Sequence, residues 1–137
     1  MSENRHQIRE QAFQILFAMQ SNPDTDLTEI YQSLPHHDRK AIPTYLTTIV
    51  NGVTEHQDEL DAQISALLAD DWEISRLAKT DLVILRIALF EMQFVDDVPA
   101  VVAINEALEL AKTFSNDQSR KFINGALGHF ERQQASK

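Results

Sequence analysis

The segment ILRIALFEM (Ile84–Met92), followed by DDVP (Asp96–Pro99) and VAINEALELAK (Val102–Lys112), decides the fold of this chain. Nearly every position between Leu82 and Phe94 is apolar. A helix that is apolar on almost all sides must be enclosed by other helices. The segment is also too short and too charged to span a bilayer, which needs about 20 apolar residues. It therefore predicts a core helix and no membrane segment.

Two charged residues, Arg86 and Glu91, interrupt this apolar helix. A buried charge needs a partner. We expect Arg86 to pair with Glu91 or with Asn105 and Glu106, which the next helix supplies. These four residues are interpreted as structural polar groups that orient neighbouring helices.

Two further helices supply walls for the core helix. The first follows Pro99, because proline is tolerated in a first helical turn. The segment Ser115–Gln118 has the pattern of a capping box, with serine first and glutamine three residues later. Helical spacing predicts that these two helices bury Val101, Ile104, Ala107, Leu108, Ala111, Ile123, Ala126, Leu127 and Phe130.

The blocks LRIALFE, DDVP, VAINEALELAK and KFINGAL (Lys121–Leu127), in this order and spacing, resemble the C-terminal half of the NusB transcription antitermination factors. The length of the chain also fits that family. The resemblance implies an all-α, NusB-like fold of two small helical bundles packed together, with about seven helices. We expect the bundles to comprise residues 1–70 and 71–137 within one NusB domain.

Composition independently favours an all-helical chain, since its 137 residues include only three glycines and four prolines. The chain has no cysteine, which excludes disulfides and thiolate metal sites. The adjacent His36 and His37, in a predicted polar loop from His36 to Lys40, are too few ligands to indicate a metal. No cofactor is expected. No signal peptide is recognisable, so a soluble cytoplasmic protein is predicted.

The formal charge of −9 is unevenly distributed, because no Lys or Arg occurs between Ala41 and Ser75. Non-specific nucleic-acid binding depends on neutralising phosphates, and an acidic chain is poorly suited to it. Any RNA site must therefore be local.

The first helix, predicted from Ser2 to Ser21, carries one candidate RNA site. Arg5, Arg9, Phe13 and Phe17 recur at a spacing of four, and residues four apart are neighbours on a helix. Arginine pairs with phosphates and aromatic rings stack on unpaired bases. On spacing alone, core phenylalanines beside solvated arginines are the favoured explanation. The resemblance favours RNA, since NusB proteins carry RNA-binding arginines in this helix.

A second basic cluster, Arg120 and Lys121, is followed at once by Phe122. The resemblance places Lys121 and Phe122 in a block implicated in RNA contact, although Phe122 also fits an ordinary core position. We predict that this cluster and the first-helix row form one composite RNA patch.

The resemblance also implies partners. NusB proteins bind the boxA element of nascent ribosomal or phage transcripts together with NusE, a small-subunit ribosomal protein that joins the transcription elongation complex. Asp81 and Gln118 occupy positions where the family carries partner-sensitive residues, and Gln118 replaces a more usual acid. An acidic protein with a small basic patch is expected to need such a partner for RNA affinity.

The middle of the chain is predicted to contain one long helix from Pro43 to about Leu68, in which Gly52 permits a close helix crossing. A short helix from Trp72 to Leu77 and a turn at Lys79–Asp81 lead into the core helix.

Catalysis needs a nucleophile or converging acid and base groups, and no such motif occurs, so no enzyme is predicted. The competing interpretation is a helical protein-interaction module, or a homodimer, without RNA affinity of its own. A related alternative is the RNA-recruiting subdomain of some ribosomal RNA methyltransferases. A chain ending at Lys137 without a methyl-donor domain disfavours it.

Overall fold

The computed structural model describes residues 4–34 and 41–135. Over these ranges the chain forms seven α-helices and one 3-10 turn, and no strand, which confirms the predicted all-α class. The elements are α1 (Arg5–Ser21), α2 (Leu27–Ser33), α3 (Thr44–Glu55), α4 (Gln57–Leu67), the 3-10 turn (Ile74–Arg76), α5 (Lys79–Phe94), α6 (Ala100–Phe114) and α7 (Asp117–Ala135).

Helix α5 is the central element of the molecule, as its sequence predicts. It contacts α1, α3, α4, α6 and α7, and the side chains of Ile84, Leu85 and Leu89 have no exposed surface. Burying one such side chain contributes roughly 1.5–3 kcal/mol. None of the helices in the described ranges is long and apolar enough to cross a membrane.

One continuous apolar cluster joins α5 to residues on both sides of position 70, from Ile8 in α1 to Phe130 in α7. The division into units of residues 1–70 and 71–137 stays a prediction.

Three helices begin at an asparagine or aspartate, whose short side chain accepts a backbone N–H of the first turn. Asn4 Oδ1 accepts the N–H of Gln7 at 3.1 Å, and Asp26 Oδ1 accepts that of Glu29 at 2.8 Å. At α7, Asn116 Oδ1 accepts the N–H of Ser119 at 2.8 Å. The predicted capping box at Ser115 is therefore wrong by one residue. Ser2 and the loop from His36 to Lys40 lie outside the described residues.

The long helix predicted from Pro43 is in fact two helices that meet at His56. The backbone of His56 (φ −102°, ψ 13°) leaves the helical region, so α4 changes direction and also packs against α7. The expected close crossing at Gly52 is confirmed, because a Cβ added there would overlap the ring of Phe90.

The connection into α5 also differs from the prediction. Only Ile74–Arg76 is helical, as a single 3-10 turn, and α5 already begins at Lys79 rather than after a turn. Trp72 consequently lies outside any helix and is 46% exposed.

Candidate nucleic-acid and partner interface

Helices α1 and α6 lie side by side and run in the same direction. His6 Nδ1 is 2.9 Å from Glu106 Oε2, and further along both helices the ring of Phe13 stacks on that of Phe114 at 4.4 Å between centroids. The first turns of α1 are thus near the start of α6, and its second half is near the turn into α7.

Arg9 is buried between these helices, with 3% of its surface exposed. Its Nε donates to both carboxylate oxygens of Glu91 at 2.9 Å, and its Nη1 is 3.5 Å from Glu106 Oε1. The hydroxyl of Tyr45, from α3, also donates to Glu91. We call Arg9, Glu91, Tyr45 and Glu106 the Glu91 network; it ties α1, α3, α5 and α6 together.

Electrostatics holds the Glu91 network in one charge state. Burial acts to lower the pKa of Arg9, but the hydrogen bond and charge of Glu91 outweigh it, so this pKa is raised. Burial also raises the pKa of Tyr45, and the hydrogen bond to Glu91 adds to that rise. Arg9 therefore stays cationic and Tyr45 stays a neutral donor at ordinary pH.

Arg5 is the more accessible arginine of α1. Its Nη1 pairs with Asp97 at 3.2 Å, with 36% of the side chain exposed. Its guanidinium group lies 4.0 Å from the centroid of the Tyr45 ring. The charge of Arg5 is therefore partly offset by a carboxylate that sequence spacing did not indicate.

The predicted row of Arg5, Arg9, Phe13 and Phe17 does not lie on one exposed face. Arg9 and Phe13 are buried, whereas Arg5 and Phe17 are partly exposed. The physical reason is helix geometry: at 3.6 residues per turn, each step of four advances about 40° beyond a full turn. A row of this kind passes from the surface into the core. The four residues therefore do not share an exposed face, because Arg9 and Phe13 are buried.

The partners predicted for Arg86 are also wrong. Its Nε and Nη2 donate to the carboxylate of Asp61 in α4 at 2.7 and 2.9 Å. Glu91 and Glu106 pair instead with Arg9, and Asn105 is exposed. Residues 25 positions apart in sequence meet here because α4 packs against α5, a contact that no local pattern encodes.

A groove of about 410 Å³ opens where the 3-10 turn, the start of α5 and the start of α7 meet. We call it the Trp72 groove. It brings together Asp81 and Gln118, the predicted partner-binding residues, with Phe122, a predicted RNA contact. Its lining comprises Leu67, Leu68, Ala69, Trp72, Arg76, Leu77, Ala78, Asp81, Asn116, Gln118, Ser119 and Phe122.

Asp81 is the unusual residue of the Trp72 groove. It is only 7% exposed; its Oδ2 accepts the hydroxyl of Ser119 at 3.1 Å, while its Oδ1 is buried and has no hydrogen-bond partner among the described residues. Buried polar groups are nearly always hydrogen-bonded. The wall of the groove therefore contains an unusual, unsatisfied carboxylate oxygen, which lies just below its surface.

The basic cluster of α7 lines a different hollow from the Trp72 groove, and the two share no lining residue. Arg120 and Lys121 are exposed and, with Leu108 and Asn124, line a hollow of about 300 Å³. Arg120 Nη1 is 3.5 Å from Asp117 Oδ1. Phe122 is half-buried, as its sequence position predicts.

The composite RNA patch stays a prediction. Arg5 pairs with Asp97, which precedes α6, whereas Lys121 lines a hollow with Leu108, in the middle of α6. The two basic groups are therefore offset along α6 by roughly two helical turns. The Phe17 end of α1 is nearer to α7, because Phe17 stacks on Phe13 and Phe13 on Phe114.

Comparison with known proteins identifies the family. The model of the NusB family matches residues 6–132. The chain belongs to the NusB family. A transcription antitermination protein NusB of Limosilactobacillus reuteri is 68% identical over 133 residues, covering 97% of this chain and 96% of that protein.

Solved NusB structures share the fold. T. maritima NusB has a TM-score of 0.81 at 33% identity, covering 94% of this chain and 91% of that one. A chain in the crystal structure of antitermination factors NusB and NusE in complex with dsRNA has a TM-score of 0.83 at 21% identity, covering 97% and 99%. The predicted all-α NusB fold is confirmed.

Sequence reasoning missed several side chains at these sites of the NusB fold. Trp72 and Arg76, whose guanidinium group lies 5.4 Å from the Trp72 ring centroid, border the groove. The one tryptophan of the chain, four residues before an arginine, was the available signal for them. No sequence feature marks Tyr45 or Asp97, because the role of each depends on a contact with residues distant in sequence.

Proposed function

We propose that this chain is a transcription antitermination factor that binds boxA-type single-stranded RNA together with NusE, a small-subunit ribosomal protein, during transcription of ribosomal RNA. The observation that carries the proposal is the Trp72 groove, in which Asp81, Gln118 and Phe122 meet. Arg120 and Lys121 lie on the same helix, α7, and line a separate hollow. Family membership and the names of the relatives support the same role.

In this proposal the RNA contacts centre on α7. Arg120 and Lys121 pair with phosphates, and the partly exposed Phe122 offers a ring face to an unpaired base. Arg5 and Phe17 are accessible outlying contacts. Arg9 and Phe13 make no RNA contact in this proposal, because both side chains are buried. Their packing holds α1 against α5 and α6.

In this proposal NusE supplies the positive charge that the RNA site lacks. With a formal charge of −9, the protein repels phosphates except at its local basic patch. A basic partner bound alongside would raise affinity through added charge and linked binding. We assign Asp81 and Gln118 to this partner, with Asp81 as the acidic residue of the contact.

The same proposal makes the chain a non-catalytic, cytoplasmic component of the transcription elongation complex, with no cofactor. The competing role is a protein-interaction module or homodimer that binds no RNA.

An RNA mobility-shift titration tests the proposal. We expect the protein to bind a boxA-type strand more tightly with NusE than without it, and to bind a scrambled strand less well. Lys121→Glu is expected to weaken binding at least ten-fold and to reduce its salt dependence, because a phosphate contact is lost. Asp81→Asn is expected to reduce the NusE enhancement and to leave RNA binding without NusE unchanged.

Arg132→Glu is the matched control, since it makes the same charge change on α7 three turns away. Equal losses in Lys121→Glu and Arg132→Glu would contradict a local site and indicate only a general charge effect. Equal binding of the boxA-type and scrambled strands, or none with NusE present, would favour the interaction module.

A further inference from the structure

Every basic residue of helix α1 lies against a carboxylate from the end of α5, the following turn or α6. The pairs, with the distance between nitrogen and oxygen, are Arg5 with Asp97 at 3.2 Å, His6 with Glu106 at 2.9 Å, and Arg9 with Glu91 at 2.9 Å. The cationic groups that α1 could offer to RNA are thus already occupied within the protein. A phosphate can bind one of them only by displacing its acid.

Of the two arginine pairs, only the one between Arg5 and Asp97 is open to exchange. Their side chains are 36% and 68% exposed, whereas those of Arg9 and Glu91 are 4% and 1% exposed. Breaking the buried pair would leave an uncompensated charge inside the protein. Breaking the surface pair costs little, because water solvates both groups. A phosphate can therefore replace Asp97 at Arg5, but it cannot replace Glu91 at Arg9.

A second contact holds Arg5 independently of the ion pair. Its guanidinium carbon lies 4.0 Å from the centroid of the Tyr45 ring, and the hydroxyl of Tyr45 is fixed by its hydrogen bond to Glu91. A cation–π contact uses the face of the ring and needs no carboxylate. When the ion pair opens, Arg5 therefore stays positioned at the surface of α1, where a phosphate can pair with it.

Asp97 is itself held in position by the turn between α5 and α6. The N–H of Val98 donates to the carbonyl oxygen of Val95 at 3.1 Å, and the side chain of Val98 is only 6% exposed. Pro99, the next residue, restricts the backbone just before α6. The carboxylate is thus fixed beside Arg5, and a phosphate bound at Arg5 would also be repelled by it.

We propose that Asp97 is an internal competitor of RNA for Arg5. In the free protein its carboxylate pairs with the guanidinium group, and in the complex a phosphate of the RNA replaces it. The competition lowers the affinity for any strand, because a phosphate contact carries no sequence information. Binding then depends more on the α7 contacts and on the partner protein. This inference rests on the proposed function, since it requires RNA at the surface of α1.

An RNA mobility-shift titration of the full chain with NusE tests the competition. Asp97→Asn is expected to bind a boxA-type strand about five-fold more tightly at low salt, because both the ion pair and the repulsion are removed. A scrambled strand should gain by the same factor. The gain should shrink as the salt concentration rises, since surface ion pairs are screened.

Two further variants isolate the contact between Asp97 and Arg5. Asp96→Asn is the matched control, because it removes the same charge at the neighbouring exposed residue; it should change the affinity by less than about two-fold. Arg5→Gln completes a double-variant cycle. In that background Asp97→Asn should have no larger effect than Asp96→Asn, because the contested cation is gone. Circular dichroism checks that each variant is folded.

Three results would overturn this inference and leave the proposed function intact. The first is wild-type binding of the boxA-type strand that Asp97→Asn does not change. The second is an equal gain in Asp97→Asn and Asp96→Asn, which would indicate a general charge effect. The third is a gain that persists with Arg5→Gln, which would mean that Asp97 repels RNA without engaging Arg5. Absence of binding by both the wild-type chain and Asp97→Asn would instead overturn the proposed function, and this inference with it.

Discussion

Two buried carboxylates on helix α5, Glu91 and Asp81, have opposite surroundings. Glu91 is 1% exposed, and both its oxygens accept hydrogen bonds, from Arg9 and from Tyr45. Asp81 is almost as buried, yet within residues 4–34 and 41–135 it accepts only the hydroxyl of Ser119, and its second oxygen finds no partner there. Glu91 belongs to a network that joins α1, α3, α5 and α6, whereas Asp81 borders the Trp72 groove.

The difference separates a structural charge from a candidate recognition charge. A buried ion pair whose hydrogen bonds are complete needs nothing more, and removing one partner leaves an uncompensated charge. A buried carboxylate with an unsatisfied oxygen is uncommon in folded proteins, which makes it a candidate for recognition. In the sequence Glu91 is an acid within the predicted apolar helix and Asp81 an acid in the predicted turn before it, so burial and partners decide between the two roles.

The largest effect is expected when the Glu91 network is broken. Glu91→Gln leaves Arg9 buried with a neutral partner, and Arg9→Met leaves Glu91 uncompensated; each should lower the free energy of unfolding by about 3–5 kcal/mol. Urea denaturation measures this. The double variant Arg9→Met with Glu91→Leu should recover part of the loss. Single-variant losses below about 1 kcal/mol would contradict a network that joins the helices.

A smaller loss is expected from Tyr45→Phe, which removes one donor to Glu91 and preserves the ring beneath Arg5. Hydrogen bonds to charged groups contribute about 1.5–3 kcal/mol, so the free energy of unfolding should fall within that range. An unchanged stability in Tyr45→Phe would show that Arg9 alone satisfies Glu91.

At the other carboxylate, Asp81→Asn should change the free energy of unfolding by less than about 1 kcal/mol, although it is the same chemical change as Glu91→Gln. The amide is easier to bury, whereas the carboxylate interacts favourably with the N-terminus of α5. These effects oppose each other. A loss as large as that of Glu91→Gln would make Asp81 a structural charge and remove the contrast.

The smallest effect concerns His6, at the exposed edge of the Glu91 network. The hydrogen bond to Glu106 raises the pKa of His6 above 6.5. A raised pKa in the folded state adds stability below the unfolded pKa, and this stability is lost as the pH rises through the folded value. Because the pair is solvent-screened, we expect only about 0.2–1 kcal/mol.

The measurement for His6 is the free energy of unfolding of the wild-type chain and of His6→Gln at about pH 5.5 and pH 8.5. The wild-type chain should be the more stable of the two at the lower pH, and the difference should vanish at the higher pH. A difference that grows with pH would reverse the assigned sign.

Local patterns were sufficient for the central helix and for most buried positions of the two helices after it. The apolar run around Leu85 predicted α5, because periodicity depends on residues a few positions apart. Val101 was predicted to be buried, and this prediction is wrong, since it is 59% exposed at the start of α6. Breaks at His56 and the single turn at Ile74–Arg76 were not predicted. Both features depend on tertiary packing, because the chain changes direction there so that the next helix can pack against the core.

At the candidate site, residue types were predicted better than their surroundings. Asp81 and Gln118 were predicted as partner-binding residues and Phe122 as an RNA contact, and all three line one groove. Arg5 and Arg9 were both predicted to contact RNA, but Arg9 is buried and Arg5 is partly exposed.

The sequence by itself determined an all-helical chain, its central apolar helix and a restricted set of cationic and aromatic residues, because these follow from composition and short-range periodicity. Only the tertiary structure decided that Arg86 pairs with Asp61, that Arg9 neutralises Glu91 and that Asp81 keeps a vacant oxygen. Each of these depends on side chains from helices far apart in sequence, whose burial strengthens the contact and fixes which partner is within reach.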